Sequence, residues 1–378
     1  MENTALIVGA SGISGNNLAQ ELLNLNWTTY GITRSSDVDL KGLHNIKADL
    51  LDKAALETAL AEIKPTHVFF TAWMRKDTEA ENIKVNAALV RNVLDVLAPK
   101  QSVKHVALVT GLKHYLGPFD VYAQEGFLPE TPVRTEHPRL AVDNFYYAQE
   151  DELFAAAERD GFTWSVHRAH TMIGLAVGNL MNMGSTLAAY ATLCKETGKP
   201  FTWPGSEAQW KGISDVTDAR LLAKQFVWAA TTPEAANQAF NTANGDVFRW
   251  EWLWKEIADY FKVDYKGYAP GTPDLETLMQ DDAALWQQIA EKYNLAETNL
   301  NRVASPWHTD LDLGRPIEVM TDMSKSRKLG FTAYQDTRDS FFELFDTLSK
   351  SLILSLQLIG IHQFLKCMFL HELLCLCL

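Results

Sequence analysis

The sequence predicts an α/β protein: a doubly wound parallel sheet followed by a smaller, mainly helical part. Three observations predict it. Short apolar runs of strand length alternate with longer amphipathic stretches from Thr4 to Arg168. The first run leads at once into Gly9-Ala10-Ser11-Gly12-Ile13-Ser14-Gly15, a glycine triplet at the entry of a helix. And Gly9, Arg34, Trp73 and Lys113 all fall where strands are expected to end, which is where open parallel sheets place their ligands.

Taken in order, Thr4–Val8 is short, apolar and ended by glycine, like a buried parallel strand. The G-x-x-G-x-x-G spacing lets backbone approach a pyrophosphate. The helix it opens, to about Leu25, offers N–H donors and positive potential. Gly9, Ser11, Gly12, Ile13 and Gly15 are therefore candidate dinucleotide contacts, against a plain tight turn as the alternative. A second strand, Thr28–Thr33, ends in Arg34-Ser35-Ser36. NAD-binding units usually place an acid there for the ribose hydroxyls. A guanidinium and hydroxyls suit a 2′-phosphate instead, so Thr33, Arg34 and Ser35 favour NADPH, with Asp37 and Asp39 close behind.

A third strand is expected at Asn45–Asp49, with Asp49 and Leu50 set to meet the adenine, then a helix over Asp52–Ile63. Thr66–Thr71 forms the fourth strand, followed by Ala72 and Trp73. A helix over Glu79–Leu97 carries Asn86, and Lys104–Thr110 is the fifth strand, ending at Gly111. Leu116 to Arg139 is rich in Pro, Gly and aromatics and reads as a long loop, of a length more often functional than idle. Leu140–Arg159 is the next helix and Phe162–Arg168 the sixth strand. His167 and His170 read as ordinary strand-end histidines. Beyond them the pattern gives helices over Ser185–Thr197, Asp215–Ala229 and Arg249–Phe261. It also gives a loop at Phe201–Gly205, a short strand at Gln238–Asn241, a turn at Asn244–Asp246, and a mixed region over about 264–335.

The totals bound the function. With 378 residues and 47% hydrophobic content the chain can bury a sizeable core. Its formal net charge of -13 argues against nucleic acid as a partner, because polyanion binding needs clustered Lys and Arg. Of the four cysteines, Cys367, Cys375 and Cys377 crowd into the C-terminal tail, and none makes a zinc-ligand pattern. The N-terminus carries no basic leader, so a cytoplasmic location is expected. The expected division is a dinucleotide-binding core over 1–180, a substrate part over 181–350 interleaved with the core around 211–245, and an anomalous apolar tail over 351–378. Polar interruptions in that tail argue against a membrane span. Oligomeric state is left open, a homodimer being one option.

Chemistry concentrates in two distant stretches, Thr110-Gly111-Leu112-Lys113-His114-Tyr115 and Asn144-Phe145-Tyr146-Tyr147-Ala148-Gln149-Glu150. Reductases of this fold usually pair a phenol with an ammonium as Tyr-x-x-x-Lys on one helix. Here Tyr146 is followed at that spacing by Glu150, and Tyr147 by Asp151. Lys113 is the candidate replacement. Tyr146, Tyr147 and Tyr115 are rival phenols that helix phase does not separate.

These stretches resemble the progesterone 5β-reductase and iridoid synthase-like enone reductases, atypical members of the extended short-chain dehydrogenase/reductase superfamily. Gly9–Gly15, Thr71-Ala72-Trp73, Val166-His167-Arg168, Asn241–Phe248 and Met323-Ser324-Lys325-Ser326 extend the similarity to about residue 348. The resemblance implies Tyr146 and Lys113 as the catalytic pair. It also implies Thr71, Ala72 and Ile173 as further cofactor contacts, and Trp73, Phe119 and Phe248 as substrate-pocket residues. The implied reaction is NADPH-dependent reduction of an α,β-unsaturated carbonyl compound, hydride going to the β-carbon. Two departures concern the substrate: Ala169 stands where proline is usual, and Pro306-Trp307-His308 replaces a more aromatic triplet. Competing readings are a carbonyl reductase, a sugar-nucleotide epimerase and a non-catalytic NADPH sensor.

Overall fold

The computed structural model describes residues 3–34, 38–126, 128–176, 178 and 181–351; Ser35 and the tail from 352 lie outside them. The chain divides into two compact units. The first comprises Met1–Ala176, Ile213–Val247 and Pro316–Thr337; the second comprises Val177–Gly212, Phe248–Arg315 and Arg338–Leu378.

The first unit is built on a seven-stranded parallel sheet. Its elements begin β1 (Thr4–Val8), α1 (Ile13–Asn24), β2 (Thr28–Thr33), β3 (His44–Lys47), α2 (Lys53–Ala59) and β4 (His67–Phe70). They continue α3 (Glu79–Leu97), β5 (His105–Gly111), α4 (Lys113–Leu116), α5 (Phe145–Asp160) and β6 (Thr163–Ala169). A last strand, Gln238–Thr242, pairs with β6, so the order across the sheet is that strand, β6, β5, β4, β1, β2, β3.

The residue types explain the layers. Ala5 to Val8 and Val68 to Phe70 are almost fully buried, as strands covered on both faces must be. Leu6, Val8, Val68, Phe70, Val106 and Leu108 point to one side and pack with Val90, Val93 and Leu94 of α3. Ala5, Ile7, Phe69 and Ala107 alternate to the other side and meet Leu18 and Leu22 of α1 and Phe226 of the helix Ala219–Thr231. Edge strand β3 keeps one buried residue, Ile46, of its four.

The strand order reverses beside β1, which lies between β4 and β2. Such a reversal opens a crevice at the carboxyl ends of the strands.

Two expected helix starts move and one expected loop pairs as a strand, the helix starts for a local reason. The helix predicted from Leu140 begins at Phe145, because Asn144 is extended and its side chain caps the N–H of Tyr146. The helix predicted from Asp215 begins at Ala219. Asp218 caps it, while Thr217–Asp218 runs parallel to Met172–Ile173 as a two-residue strand. Phe201–Thr202, expected as loop, pairs with Tyr265–Lys266.

The second unit is mainly helical, with Met183–Thr197 and Trp250–Phe261 its long elements. Its core is aromatic: Trp254 stacks on Phe201 at 4.0 Å and meets Trp203 edge-on at 5.1 Å. Its share of the region left mixed resolves into the short helices Leu275–Met279, Ala283–Tyr293, Leu300–Val303 and Pro306–Leu313. Among the described residues no helix is long and apolar enough to cross a membrane.

Candidate active site

The loop after β1 is fitted to its surroundings so tightly that two glycines are obligatory. Gly9 has φ +96°, and a Cβ there would stand 2.8 Å from the backbone nitrogen of Ala72. At Gly15 a Cβ would lie 2.2 Å from the Gly9 carbonyl oxygen. Thr71 completes the cradle by donating its hydroxyl to the carbonyls of Val8 and Gly9. Gly12 is the N-cap of the twelve-residue α1 and offers no side-chain cap. The first N–H groups of that helix therefore face the crevice with the helix dipole behind them, a fit for a pyrophosphate.

The other sequence-predicted nucleotide residues lie in the same unit. Thr33 is buried at the end of β2 and Arg34 is exposed just beyond it. Asp49 is exposed and Leu50 buried after β3, and the Leu50 carbonyl accepts from Asn92 of α3. Ser11 is exposed at the tip of the glycine loop. Ile13 is buried and Ile173 is 1% exposed.

A second cluster gathers at the ends of β4 and β5. Trp73 and Phe145 stack with centroids 5.6 Å apart and an 18° tilt, and Trp73 and Phe119 stack at 5.9 Å. Tyr146 lies against Phe145 at 4.4 Å. The Lys113 ammonium stands over the Phe119 ring, 4.2 Å from its centroid, and 5.2 Å from that of Tyr122. Asn144 binds the two distant stretches together. Its Oδ1 caps Tyr146 while its Nδ2 donates to the Lys113 carbonyl at 2.8 Å. The Tyr146 hydroxyl lies above Gly111, next to Lys113 in the chain but one. Phe248 belongs to the second unit, where it opens the segment Phe248–Arg315, is buried and sets its ring edge-on to Trp250 at 5.1 Å.

The three rival phenols differ sharply. Tyr147 donates to the His114 carbonyl at 2.7 Å and accepts from the Leu140 N–H at 2.9 Å. Tyr115 donates to Asn241 at 2.6 Å and accepts from Arg168 at 3.1 Å. Both rings are buried, and burial pushes both phenols above their ordinary pKa. Tyr146 is the partly exposed one of the three.

Glu150 occupies the place four residues beyond Tyr146. It is 2% exposed and takes a 2.8 Å bond from Arg139, with His114 at 3.7 Å and Arg168 at 3.8 Å. Burial raises its pKa, but His114, Arg168 and Arg139 outweigh that and hold it below the usual carboxylate range. Burial in turn pushes the His114 imidazole below its usual value. The position that carries an ammonium in the conventional pattern thus carries a buried carboxylate that is bonded to Arg139 and faces His114, the neighbour of Lys113.

Several supports are invisible as a motif. Asn86 brackets Met74, accepting from its N–H and donating to its carbonyl, both at 2.8 Å; Asn82 accepts from Lys76 at 2.7 Å. These side chains, one helical turn apart, hold the Trp73 segment. The Thr78–Glu81 capping box marks where that helix starts. Nothing in the sequence says that Glu79 and Asn82 turn inward. The histidines prove structural: His167 bonds Gln225 and Ser165, and His170 bonds Asp215 at 2.5 Å. Among the described residues no cluster of potential metal ligands occurs.

The sheet order, the glycine cradle and the uncapped helix define a Rossmann-fold protein of the dinucleotide-binding class. Within that class the chain belongs to the PRISE-like Rossmann-fold domain family, whose pattern matches residues 29–355. It is 38% identical over 358 residues to a Nepeta cataria protein named (S)-8-oxocitronellyl enol synthase, covering 91% of each chain. It is 37% identical over 359 residues to the Arabidopsis thaliana 3-oxo-Delta(4,5)-steroid 5-beta-reductase, again over 91% of each. Among solved structures it resembles the UDP-glucose 4-epimerase of Thermotoga maritima, with a TM-score of 0.64 and 13% identity over 92% of this chain and 99% of that one. It also resembles the Bordetella bronchiseptica enzyme WbmG in complex with NAD, with a TM-score of 0.61 and 18% identity over 93% and 95%. At those identities the likeness speaks for the fold.

Proposed function

We propose that this protein reduces the C=C bond of α,β-unsaturated carbonyl compounds with NADPH, by 1,4-addition. The observation that carries the reading is the meeting of the Lys113 turn and the Tyr146 helix through Asn144, beside an aromatic stack at the ends of β4 and β5. The family relatives named as an enol synthase and a steroid 5-beta-reductase support it.

The residues divide the work. NADPH, when bound at the cradle, supplies the hydride. The N–H groups of α1 and the glycine loop hold its pyrophosphate, and Arg34 favours a 2′-phosphate by charge and planar geometry. Trp73 and Phe119, both half-buried, offer flat apolar faces against which an enone can lie, and the buried Phe145 ring backs them. As negative charge develops on the carbonyl oxygen, the Tyr146 hydroxyl donates to it and stabilises the enolate, whose α-carbon then takes its proton from water. The Lys113 ammonium makes that phenol a stronger donor by favouring its ionised form. Its place over the Phe119 face keeps it within the aromatic site.

The test is turnover of a panel of cyclic and acyclic enones by the purified protein, followed by NADPH absorbance, alongside alcohol oxidation with NADP. Enone reduction that is lost in Tyr146→Phe while NADPH still binds supports the reading. Alcohol oxidation without enone reduction would sink it in favour of a carbonyl reductase. NADH supporting turnover as well as NADPH would remove the assigned role of Arg34.

A further inference from the structure

We infer that Glu79 is a positioning residue for this reduction, fixing the helix that carries Tyr146 and setting a negative charge against the site that holds Lys113. The inference rests on the reading of Tyr146 and Lys113 given above.

Glu79 is the first residue of α3, yet its helix does not need it as a cap. Thr78 and Glu81 already satisfy each other's backbone groups there. Glu79 instead turns inward and is 8% exposed. Its Oε1 accepts from the N–H of Phe145 at 2.7 Å, and its Oε2 accepts from Asn82 at 3.1 Å.

Phe145 opens α5, so its N–H is one of the donors a helix leaves without an internal partner. Asn144 satisfies the next, that of Tyr146. The phenol-bearing turn is therefore clamped from two sides: by Asn144, tied to the Lys113 carbonyl, and by Glu79, tied to α3 and through Asn82 to the backbone at Lys76.

A neutral amide could accept the same bond from Phe145 at far lower desolvation cost. A carboxylate in this position brings charge as well. The groups that act on it electrostatically are Lys113 of α4 and Asp120 of the Phe119–Val121 turn. Burial raises the Glu79 pKa above its ordinary value, the Phe145 N–H and Asn82 oppose that, and Lys113 opposes it too. By reciprocity the Glu79 anion favours the ammonium of Lys113.

The experiment is a pH series of kcat and KM with one good enone substrate. It compares the wild type, Glu79→Gln, Glu79→Asp and Tyr146→Phe, each checked for fold by circular dichroism. In Glu79→Gln the bond from Phe145 survives and the charge goes, while the bond from Asn82 is lost because two amide donors then face each other. The basic limb of kcat should move to lower pH by at least about half a unit, with KM for NADPH unchanged. A Glu79→Gln profile superimposable on the wild type overturns the charge role. In Glu79→Asp the charge stays but withdraws from Phe145, so kcat should fall at every pH with the limb unmoved. Wild-type kcat in Glu79→Asp overturns the clamp, and this variant carries the test if Glu79→Gln does not fold. Undiminished turnover in Tyr146→Phe would bring down the site reading itself, separately from anything Glu79 does.

Discussion

Gly111 lies directly under the hydroxyl of Tyr146. A Cβ at position 111 would stand 3.3 Å from that oxygen and 3.0 Å from the carbonyl oxygen of Ala169. The second contact is backbone on β6, the strand paired with β5, so it yields only if the sheet yields. The absence of a side chain at the end of β5 is therefore what lets the phenol settle over the strand.

Gly111→Ala is accordingly expected to damage chemistry more than folding. The overpacking should cost about 1–3 kcal/mol of stability. Displacing the phenol should lower kcat about tenfold to a hundredfold, with KM for NADPH little changed. Steady-state kinetics and a thermal melt on one preparation check both. Full activity would mean that Tyr146 is not held where its hydroxyl acts.

The phenols provide a second comparison. The Tyr147 hydroxyl joins His114 to Leu140, so Tyr147→Phe leaves a buried carbonyl and a backbone N–H without that partner. The expected cost is about 1–3 kcal/mol of stability, with turnover per folded molecule largely kept. Tyr146→Phe should do the reverse: a near-native melt and a kcat lowered by about 10²–10⁴. If Tyr147→Phe is as inactive as Tyr146→Phe while fully folded, the two roles are exchanged.

The contrast shows what the sequence could and could not convey. The strands of the first unit were legible because a parallel strand covered on both faces must be apolar throughout, as in Ala5–Val8 and Val68–Phe70. The glycine loop was legible because Gly9 and Gly15 face backbone too close for any Cβ. The start of α5 was misplaced, since Leu140 to Asp143 have acceptable helix composition and the cap at Asn144 decides. The choice of Tyr146 came from the resemblance, because three tyrosines with similar local patterns differ in burial and in what their hydroxyls bond, neither of which the sequence displays. Nothing in the sequence marks Glu79 or Glu150 as buried. Their partners, Phe145 in one case and His114, Arg139 and Arg168 in the other, are supplied by other elements or by the preceding loop.

Glu150 yields a prediction about the missing Tyr-x-x-x-Lys pattern. Restoring it with Glu150→Lys would put an ammonium beside Arg139, Arg168 and His114 in a site that is almost fully buried. Removing one partner of such a buried arrangement costs about 3–5 kcal/mol, and adding a like charge adds to that. Soluble yield and melting temperature should collapse. The double variant Lys113→Met, Glu150→Lys should recover no activity, because position 150 faces Arg139, Arg168 and His114 in a buried site and its ammonium would meet like charge there. Recovery of turnover in the double variant would show the two lysine positions to be equivalent.

The last prediction concerns acid stability and comes from three histidines on neighbouring strands. His67 on β4 pairs in register with His105 on β5, and Ser165 on β6 accepts or donates to both His105 at 3.0 Å and His167 at 2.9 Å. Burial pushes their pKa values from 6.5 to about 4 for His67, about 3 for His105 and about 4 for His167. For His67 and His105 neighbouring positive charge works in the same direction, whereas for His167 the bond to Gln225 opposes it. The sign follows from proton counts. Between the folded values and the unfolded 6.5, the unfolded chain binds more protons, so stability falls as pH drops below about 6.5 and levels off near 3 to 4. For His167, which is fully buried, the fall is worth about 3 kcal/mol. Urea unfolding of wild type and His167→Gln at several pH values from 4 to 7 should show a shallower slope in the variant. Glutamine can keep a bond to Ser165 or Gln225 but has no proton to gain. Parallel slopes would mean that His167 takes up its proton alike in the folded and unfolded states, which its apolar surroundings of Phe226 and Phe240 make physically costly.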